Sequence, residues 1–281
     1  MRAENHTPVR NPLDAAALRR AALRPDGLWR DIEVVPSTGS TNADLLARAQ
    51  RGEPEGVMLA AEEQTAGRGR MGRTWVAPPY AALTFSLLTR PDVPPPRRGW
   101  LPLLAGVAAA TAVIELTGVE ARLKWPNDVL AGEAKLAGIL AEASGDAVVV
   151  GIGLNVSTEP AELTQLPAPS GPGALRAASL RAAGATALNR EELLLAILGG
   201  FERWYRPWRQ AGGDPDRSGL RPEYTRLSAT IGRTVRAELP GGQALSGPAV
   251  GVDADGRLLV GSSDSGAGTV AVAAADVVHL R

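Results

Sequence analysis

The chain has 281 residues, 44% hydrophobic and 21% charged, which suits one large domain or two unequal ones. Thirty basic side chains balance thirty acidic ones, so attachment to nucleic acid through bulk charge is excluded. With no cysteine and only His6 and His279, disulfides and Cys-ligated metals are ruled out, a histidine triad is not expected, and a reducing, cytoplasmic setting is.

Residues 1–30 read as a polar N-terminal tail. One helix is expected over 14–23, capped by Asp14 and followed by Pro25 and Gly27. Arg2, Glu4 and Asn5 precede any apolar run, unlike a secretory signal. IEVVPSTGSTN (32–42) is a strand and then a loop, and 42–49 has helical spacing with Leu45, Leu46 and Ala49 on one face. GVMLAAEEQ (56–64) is a strand that runs into the loop TAGRGRMGRTW, and ALTFSLLT (82–89) is an apolar strand followed by PDVPPP. Residues 100–116 form a mostly apolar helix, expected to be buried and too short to cross a membrane.

Residues 121–156 read as consecutive strands, with AGE and SGD as turns. A loop rich in Pro, Ala, Gly and Ser covers 164–184, and 190–208 is an amphipathic helix with Leu193, Leu194, Ile197, Phe201, Trp204 and Trp208 on its apolar side. Beyond a boundary near 220–228, short strands alternate with GG, DADG and SSDSG turns, the pattern of a small β-barrel. The expected division is therefore a tail (1–30), an α+β catalytic domain (31–222) and a C-terminal barrel (226–281).

Four segments carry the residues suited to chemistry. GRGRMGRTW (67–75) alternates glycines, whose backbone can approach an anion, with arginines that bind carboxylate or phosphate. It lacks the Gly-Lys-Ser/Thr of a Walker loop, and the alternative is a flexible surface loop. KWPNDVLAGEAKLAGIL (124–140) holds Lys124 and Lys135, the only lysines, whereas the other 28 basic residues are arginine. Lysine is a compact charge with a tunable pKa, so these are sites that arginine does not suit, or else survivors of high-GC codon drift. In GIGLNV (151–156) alternate glycines let something pack on the strand, and Asn155 offers both donor and acceptor. Ser40, Thr41 and Asn42 lie at a loop-to-helix junction, either as helix caps or as a polar cluster for a neutral ligand.

In this order, GSTN, GRGRMGR, KWPND, KLAGIL and GIGLNV resemble the biotin–protein ligases (holocarboxylase synthetases), and DVVHLR (276–281) is similar to the end of that family's terminal domain. The resemblance implies a mixed-sheet α+β catalytic domain related to class II tRNA synthetases and lipoyl ligases, with an SH3-like barrel after it. It implies biotinyl-5′-AMP formation from biotin and MgATP, then transfer to one lysine of a biotin carboxyl carrier domain. By this resemblance Ser40, Thr41, Asn42, Gln64 and Gly138 match the biotin side, and Gly67, Arg68 and Gly69 open a loop that closes over biotin. Arg70 faces the phosphate, and Lys135 contacts the reacting carboxylate and α-phosphate. Arg73, Trp75, Lys124, Asn127 and Asn155 match the ATP side, Asp128 serves the second step, and no metal ligands are assigned.

The family's repressors carry a winged-helix domain before the first catalytic strand. Here about 30 residues precede it, so no DNA binding is expected, nor any membrane association, and the expected state is a monomer or weak homodimer. Met71 stands where many members are polar or basic, and Ala274–Ala275 precede Asp276 where a glycine is common. The competing readings are a lipoate or octanoate ligase of the same fold, a non-catalytic biotin-binding module, and an arginine-loop RNA binder.

Overall fold

The first helix begins where an acidic residue before an alanine-rich run predicts it. In the computed structural model, which describes residues 10–168, 171, 173–186, 188–239, 243–261, 268–273 and 275–280, Asp14 accepts the backbone N–H groups of Ala16 and Ala17. Residues 1–9 of the expected tail, the GG and SSDSG turns, Ala274 and Arg281 lie outside the described residues.

The helix α1 (Ala15–Ala22) leads to β1 (Asp31–Thr38), α2 (Thr41–Gln50), β2 (Val57–Gln64), β3 (Ala82–Thr89) and α3 (Trp100–Thr117). A run of strands follows: β4 (Ala121–Lys124), β5 (Asp128–Ala131), β6 (Ala134–Ser144) and β7 (Ala147–Asn155). Then come α4 (Pro160–Leu163), α5 (Arg190–Gln210) and α6 (Leu220–Leu227). The terminal strands are β8 (Thr234–Glu238), β9 (Ala244–Val252), β10 (Leu258–Gly261), β11 (Thr269–Val272) and β12 (Asp276–His279).

The first seven strands form one sheet in the order β1-β2-β3-β7-β6-β5-β4. Only β1 and β2 pair in parallel, so the sheet is mixed. Gly132 and Gly145 occupy the left-handed region in the AGE and SGD turns, which shows why glycine stands there. The last five strands form an antiparallel sheet in the order β11-β10-β9-β8-β12.

Strand alternation sorts the two faces of the large sheet. On β7, Val148, Val150, Ile152 and Leu154 enter the main core with α3 and α5, whereas Ala147 and Val149 pack with Leu45 and Ala49 of α2. The α2 face then continues along β7 through Gly151, Gly153 and Asn155. The same period puts Thr84 and Ser86 of β3 on that face and sends Leu83, Phe85 and Leu87 to the core. The α2 face therefore changes from apolar packing to small and polar residues along its length, and that change makes room for a site.

Two expectations need correction. The helical stretch around α3 runs Pro95–Thr117, long and apolar enough by length and composition to cross a membrane. It is instead a core helix packed on α5, with Trp100, Leu104, Val107 and Val113 buried. On α5, Phe201 and Trp208 are buried as expected, but the third buried aromatic is Tyr205, with Trp204 only partly covered; Tyr205 stacks on Phe201 and its hydroxyl donates to Glu55. At the expected domain boundary residues 220–227 form helix α6, whose Tyr224 packs edge-on to Trp100.

Candidate active site

Ser40 is the residue before α2, yet its side chain makes no cap bond; Thr41 and Asn42 begin the helix and turn their side chains inward. All three are buried. The Thr41 N–H and hydroxyl both reach Gln64 Oε1, at 2.8 and 3.0 Å. Thr41 Oγ1 and Ser86 Oγ are 2.7 Å apart, and the Ser86 hydroxyl donates to Asn42 Oδ1 at 2.6 Å. Asn42 Nδ2 donates to the Leu140 carbonyl at 3.1 Å and to Glu142 Oε2 at 2.8 Å. This side of the cavity is a chain of neutral groups that ends on one carboxylate, Glu142, with its hydrogen bonds already made.

Glycines form the floor. A Cβ at Gly151 would collide with the Asn42 amide, and one at Gly153 with the Trp75 indole. Gly67 has no room for a Cβ either, because the Trp75 carbonyl and Gln64 lie against it. Trp75 thus lies on the backbone of β7, with Nε1 buried and unpartnered. The cavity that remains is about 110 Å³, with Gln64, Arg70, Trp75, Lys135, Gly138 and Gly153 among its walls.

The charged end is set by a β-bulge. The β5–β6 register jumps from Val129↔Ala137 to Leu130↔Lys135, leaving Leu136 as the extra residue. Leu136 and Ala137 are both fully buried in the main core, so Lys135 is turned to the face of Gly138. A Cβ on Gly138 would lie 3.0 Å from Lys135 Nζ. Lys135 Nζ stands 2.6 Å from Asp128 Oδ1. Asp128 is placed opposite Gly138 by β5 and opposite Lys124 by β4.

The 66–75 loop closes this end. Arg68 and Thr74 form an isolated bridge, and the turn between them carries Met71 at φ 54 with its side chain exposed. Arg68 lies 3.9 Å from Glu142. Arg70 Nη1 approaches Asn127 Oδ1 at 3.5 Å, and Asn127 Nδ2 donates to the Ile139 carbonyl at 2.9 Å. Burial pulls the Arg70 guanidinium below its ordinary pKa, while Asp276 and Asp128 draw it back up. Arg73 makes an ion pair with Asp276 of the terminal domain. On the far side of the loop a cavity of about 1190 Å³ opens between the large sheet and the 255–257 turn.

Lys124 and Asn155 differ from the rest. Lys124 is 5% exposed, and its ammonium donates to the Gly173 carbonyl at 2.7 Å. Asn155 is 2% exposed; Nδ2 donates to the Ala178 carbonyl at 2.9 Å, and Oδ1 is buried without a partner. An unpaired buried acceptor calls for a donor from a ligand.

Most of the expected residues line this cavity; Gly67 and Asp128 touch its walls, and Lys124 and Asn155, outside its lining, are bonded to the carbonyls of Gly173 and Ala178. Sequence reading missed Ser86, Glu142, Asp276 as a partner of the loop, and the 173–180 segment. Ser86 had a signal: with Thr84 it puts two hydroxyls at period two in an otherwise apolar strand. The other three become neighbours only through the tertiary fold.

Residues 33–158 match the model of the biotin/lipoate A/B protein ligase family, and residues 230–280 match the biotin protein ligase C-terminal domain. The biotin--[acetyl-CoA-carboxylase] ligase of Mycobacterium tuberculosis is 45% identical over 97% of this chain and 98% of its own length. The bifunctional ligase/repressor BirA of Bacillus subtilis is 33% identical over 83% of this chain and 69% of its own. The biotin protein ligase of Aquifex aeolicus, solved in complex with biotin and ATP, superposes with a TM-score of 0.71 at 26% identity, covering 90% of this chain and all of that one.

Proposed function

The chain belongs to the biotin protein ligases, and we propose from the arrangement of its site how its residues carry out that reaction. It is an ATP-dependent biotin–protein ligase. The biotin carboxylate attacks the α-phosphorus of ATP, pyrophosphate leaves, and biotinyl-5′-AMP forms. The amine of one lysine on a biotin carboxyl carrier domain then attacks the acyl carbon, and AMP leaves.

One observation supports this placement of roles above the rest: Lys135, Arg70 and Asp128 converge at the end of a slot lined by neutral, hydrogen-bonded groups. Biotin's fused ring is uncharged, so Thr41, Asn42 and Gln64 suit it, and its carboxylate points to Lys135. Carboxylate and α-phosphate repel each other, and charge builds on the phosphate oxygens during attack. Lys135 and Arg70 offset both effects once they face the phosphate. Arg73 meets the triphosphate, Trp75 and Asn127 border the adenylate, and the free Oδ1 of Asn155 accepts from the adenine amine. Gly67, Arg68 and Gly69 let the loop close and keep water from the mixed anhydride. Ser40 shapes the entrance.

In the second step Asp128 takes the proton of the incoming ammonium once Lys135 has turned to the phosphate. The carrier lysine reaches the anhydride past the loop, from the wider cavity. Among the described residues no group of three or more His, Cys, Asp or Glu could hold a metal ion. That fits magnesium entering on the triphosphate, with Asp128 as the carboxylate at hand; when bound, the ion neutralises phosphate charge. On this reading residues 31–222 are the catalytic domain and 226–281 the terminal one, joined through α6.

Biotin-dependent exchange of labelled pyrophosphate into ATP tests the reading, with lipoate as the competing acid. Exchange is expected with biotin alone, falling about 10²–10³-fold in Lys135→Ala. Exchange with lipoate, or undiminished exchange in the variant, would refute it.

A further inference from the structure

Among the described residues of the cluster, Lys124 is the cation whose charged end bonds to a backbone carbonyl, whereas Lys135 and Arg73 face carboxylates and Arg70 an amide. Lys124 reaches the Gly173 carbonyl, and its side chain is almost wholly enclosed. Gly173 has little room to move away. It sits at φ +67, and a Cβ there would lie 2.6 Å from the Val277 carbonyl of β12.

The chain that follows Gly173 holds two residues assigned to the reaction. The Lys135 N–H donates to the Arg176 carbonyl and the Ala178 N–H donates to the Lys135 carbonyl, both at 2.8 Å. Both backbone groups of Lys135 are therefore fixed by this one segment. Asn155 Nδ2 donates to the Ala178 carbonyl, and the Leu180 N–H donates to the Asn155 carbonyl at 3.1 Å. The far end is tied by Ser179, whose hydroxyl donates to the Thr158 carbonyl at 2.6 Å.

We propose that Lys124 is a positioning residue, which makes no contact with ATP and anchors residues 173–180 so that Lys135 and Asn155 stand ready for the nucleotide. This rests on the ATP-side reading above. It also explains why arginine is absent here. Among the described residues the ammonium has one hydrogen-bond partner, the Gly173 carbonyl, and a guanidinium would bring five N–H groups that need partners. Burial pulls the ammonium below its ordinary pKa; Asp128 and Asp276 draw it back up, and Lys135 and Arg73 push it down.

The test compares Lys124→Met, which removes charge and donor, with Lys124→Gln, which keeps a neutral donor. Adenosine, which carries no phosphate, serves as a competitive inhibitor of biotin-dependent pyrophosphate exchange. Lys124→Met is expected to weaken adenosine inhibition about tenfold, and Lys124→Gln to recover most of the loss. In an Asn155→Ala background the Lys124→Met effect on adenosine should vanish, because the anchor acts through Asn155. Unchanged adenosine inhibition, with the KM for ATP raised equally in both variants, would make Lys124 a phosphate contact and overturn the proposal. If circular dichroism shows Lys124→Met unfolded, Lys124→Gln against the parent still decides: near-parental adenosine and ATP values support the anchor, and loss of ATP alone overturns it. Absence of exchange in the parent enzyme would refute the ATP-side reading itself.

Discussion

The two ends of the cavity are built on opposite plans. The neutral end, Thr41–Gln64–Ser86–Asn42, lies within one sheet and the first turn of α2, and its hydrogen bonds are made before any ligand arrives. The charged end gathers Arg70 and Arg73 from a loop, Lys135 and Asp128 from adjacent strands and Asp276 from the terminal domain. Two of its cations, Arg73 and Lys135, are paired with the protein's own carboxylates, and Arg70 faces the Asn127 amide. A neutral ring gains from a finished mould, because reorganising it would cost affinity. Anions must instead displace carboxylates from cations. The charged end therefore has to be assembled from parts that can move relative to each other.

The largest test of this contrast is Gly153→Ala. The added methyl collides with the Trp75 indole on the rigid floor, and overpacking of this kind costs about 1–3 kcal/mol. Biotin binding measured by calorimetry should weaken accordingly, with a shift in tryptophan emission. Unaltered affinity would show that the floor yields. Ser86→Ala comes next. It leaves the Asn42 carbonyl oxygen and the Thr41 hydroxyl without their shared partner, so biotin affinity should fall about tenfold while the KM for ATP stays within twofold. Equal losses for both substrates would erase the distinction between the two ends.

Asp276→Asn probes the charged end. It removes a carboxylate that competes with phosphate for Arg73, a pair partly open to solvent and worth about 1 kcal/mol or less. The KM for ATP should drop two- to fivefold in steady-state assays. A rise would mean that Asp276 holds Arg73 in place for the nucleotide. The last test concerns stability. The Thr230 hydroxyl accepts the Trp125 N–H at 3.0 Å and stands 3.0 Å from His279 Nε2. Burial, with Lys124 and Arg233 nearby, lowers the His279 pKa from 6.5 to about 4. The unfolded chain then binds more protons between these values. Stability should be full above pH 6.5 and fall as pH drops towards 4, by about 1 kcal/mol at pH 5 after allowing for partial exposure. Urea midpoints across this range should show the slope, and His279→Gln should flatten it.

Much of this protein could be read in the chain because the signals are local. Alternation placed Gly151, Gly153 and Asn155 on one face of β7. Asp14 marked a helix start, and the glycines of AGE and SGD marked the turns. The ordered motifs identified the chemistry, since each set of reacting groups sits within a few residues of a strand end. Spacing alone would have put Lys135 and Gly138, three apart in a strand, on opposite faces. The bulge at Leu136 reverses that, and it exists because two neighbouring side chains both find space in the core. Likewise nothing in GPGALRAASL announces that its backbone will clamp Lys135 and Asn155, nor in DVVHLR that its aspartate will pair with Arg73. Those contacts join residues from 23 to 203 positions apart. Backbone carbonyls and distant charges have no sequence pattern of their own, so their partners are chosen only when the sheet, the loop and the terminal domain pack together.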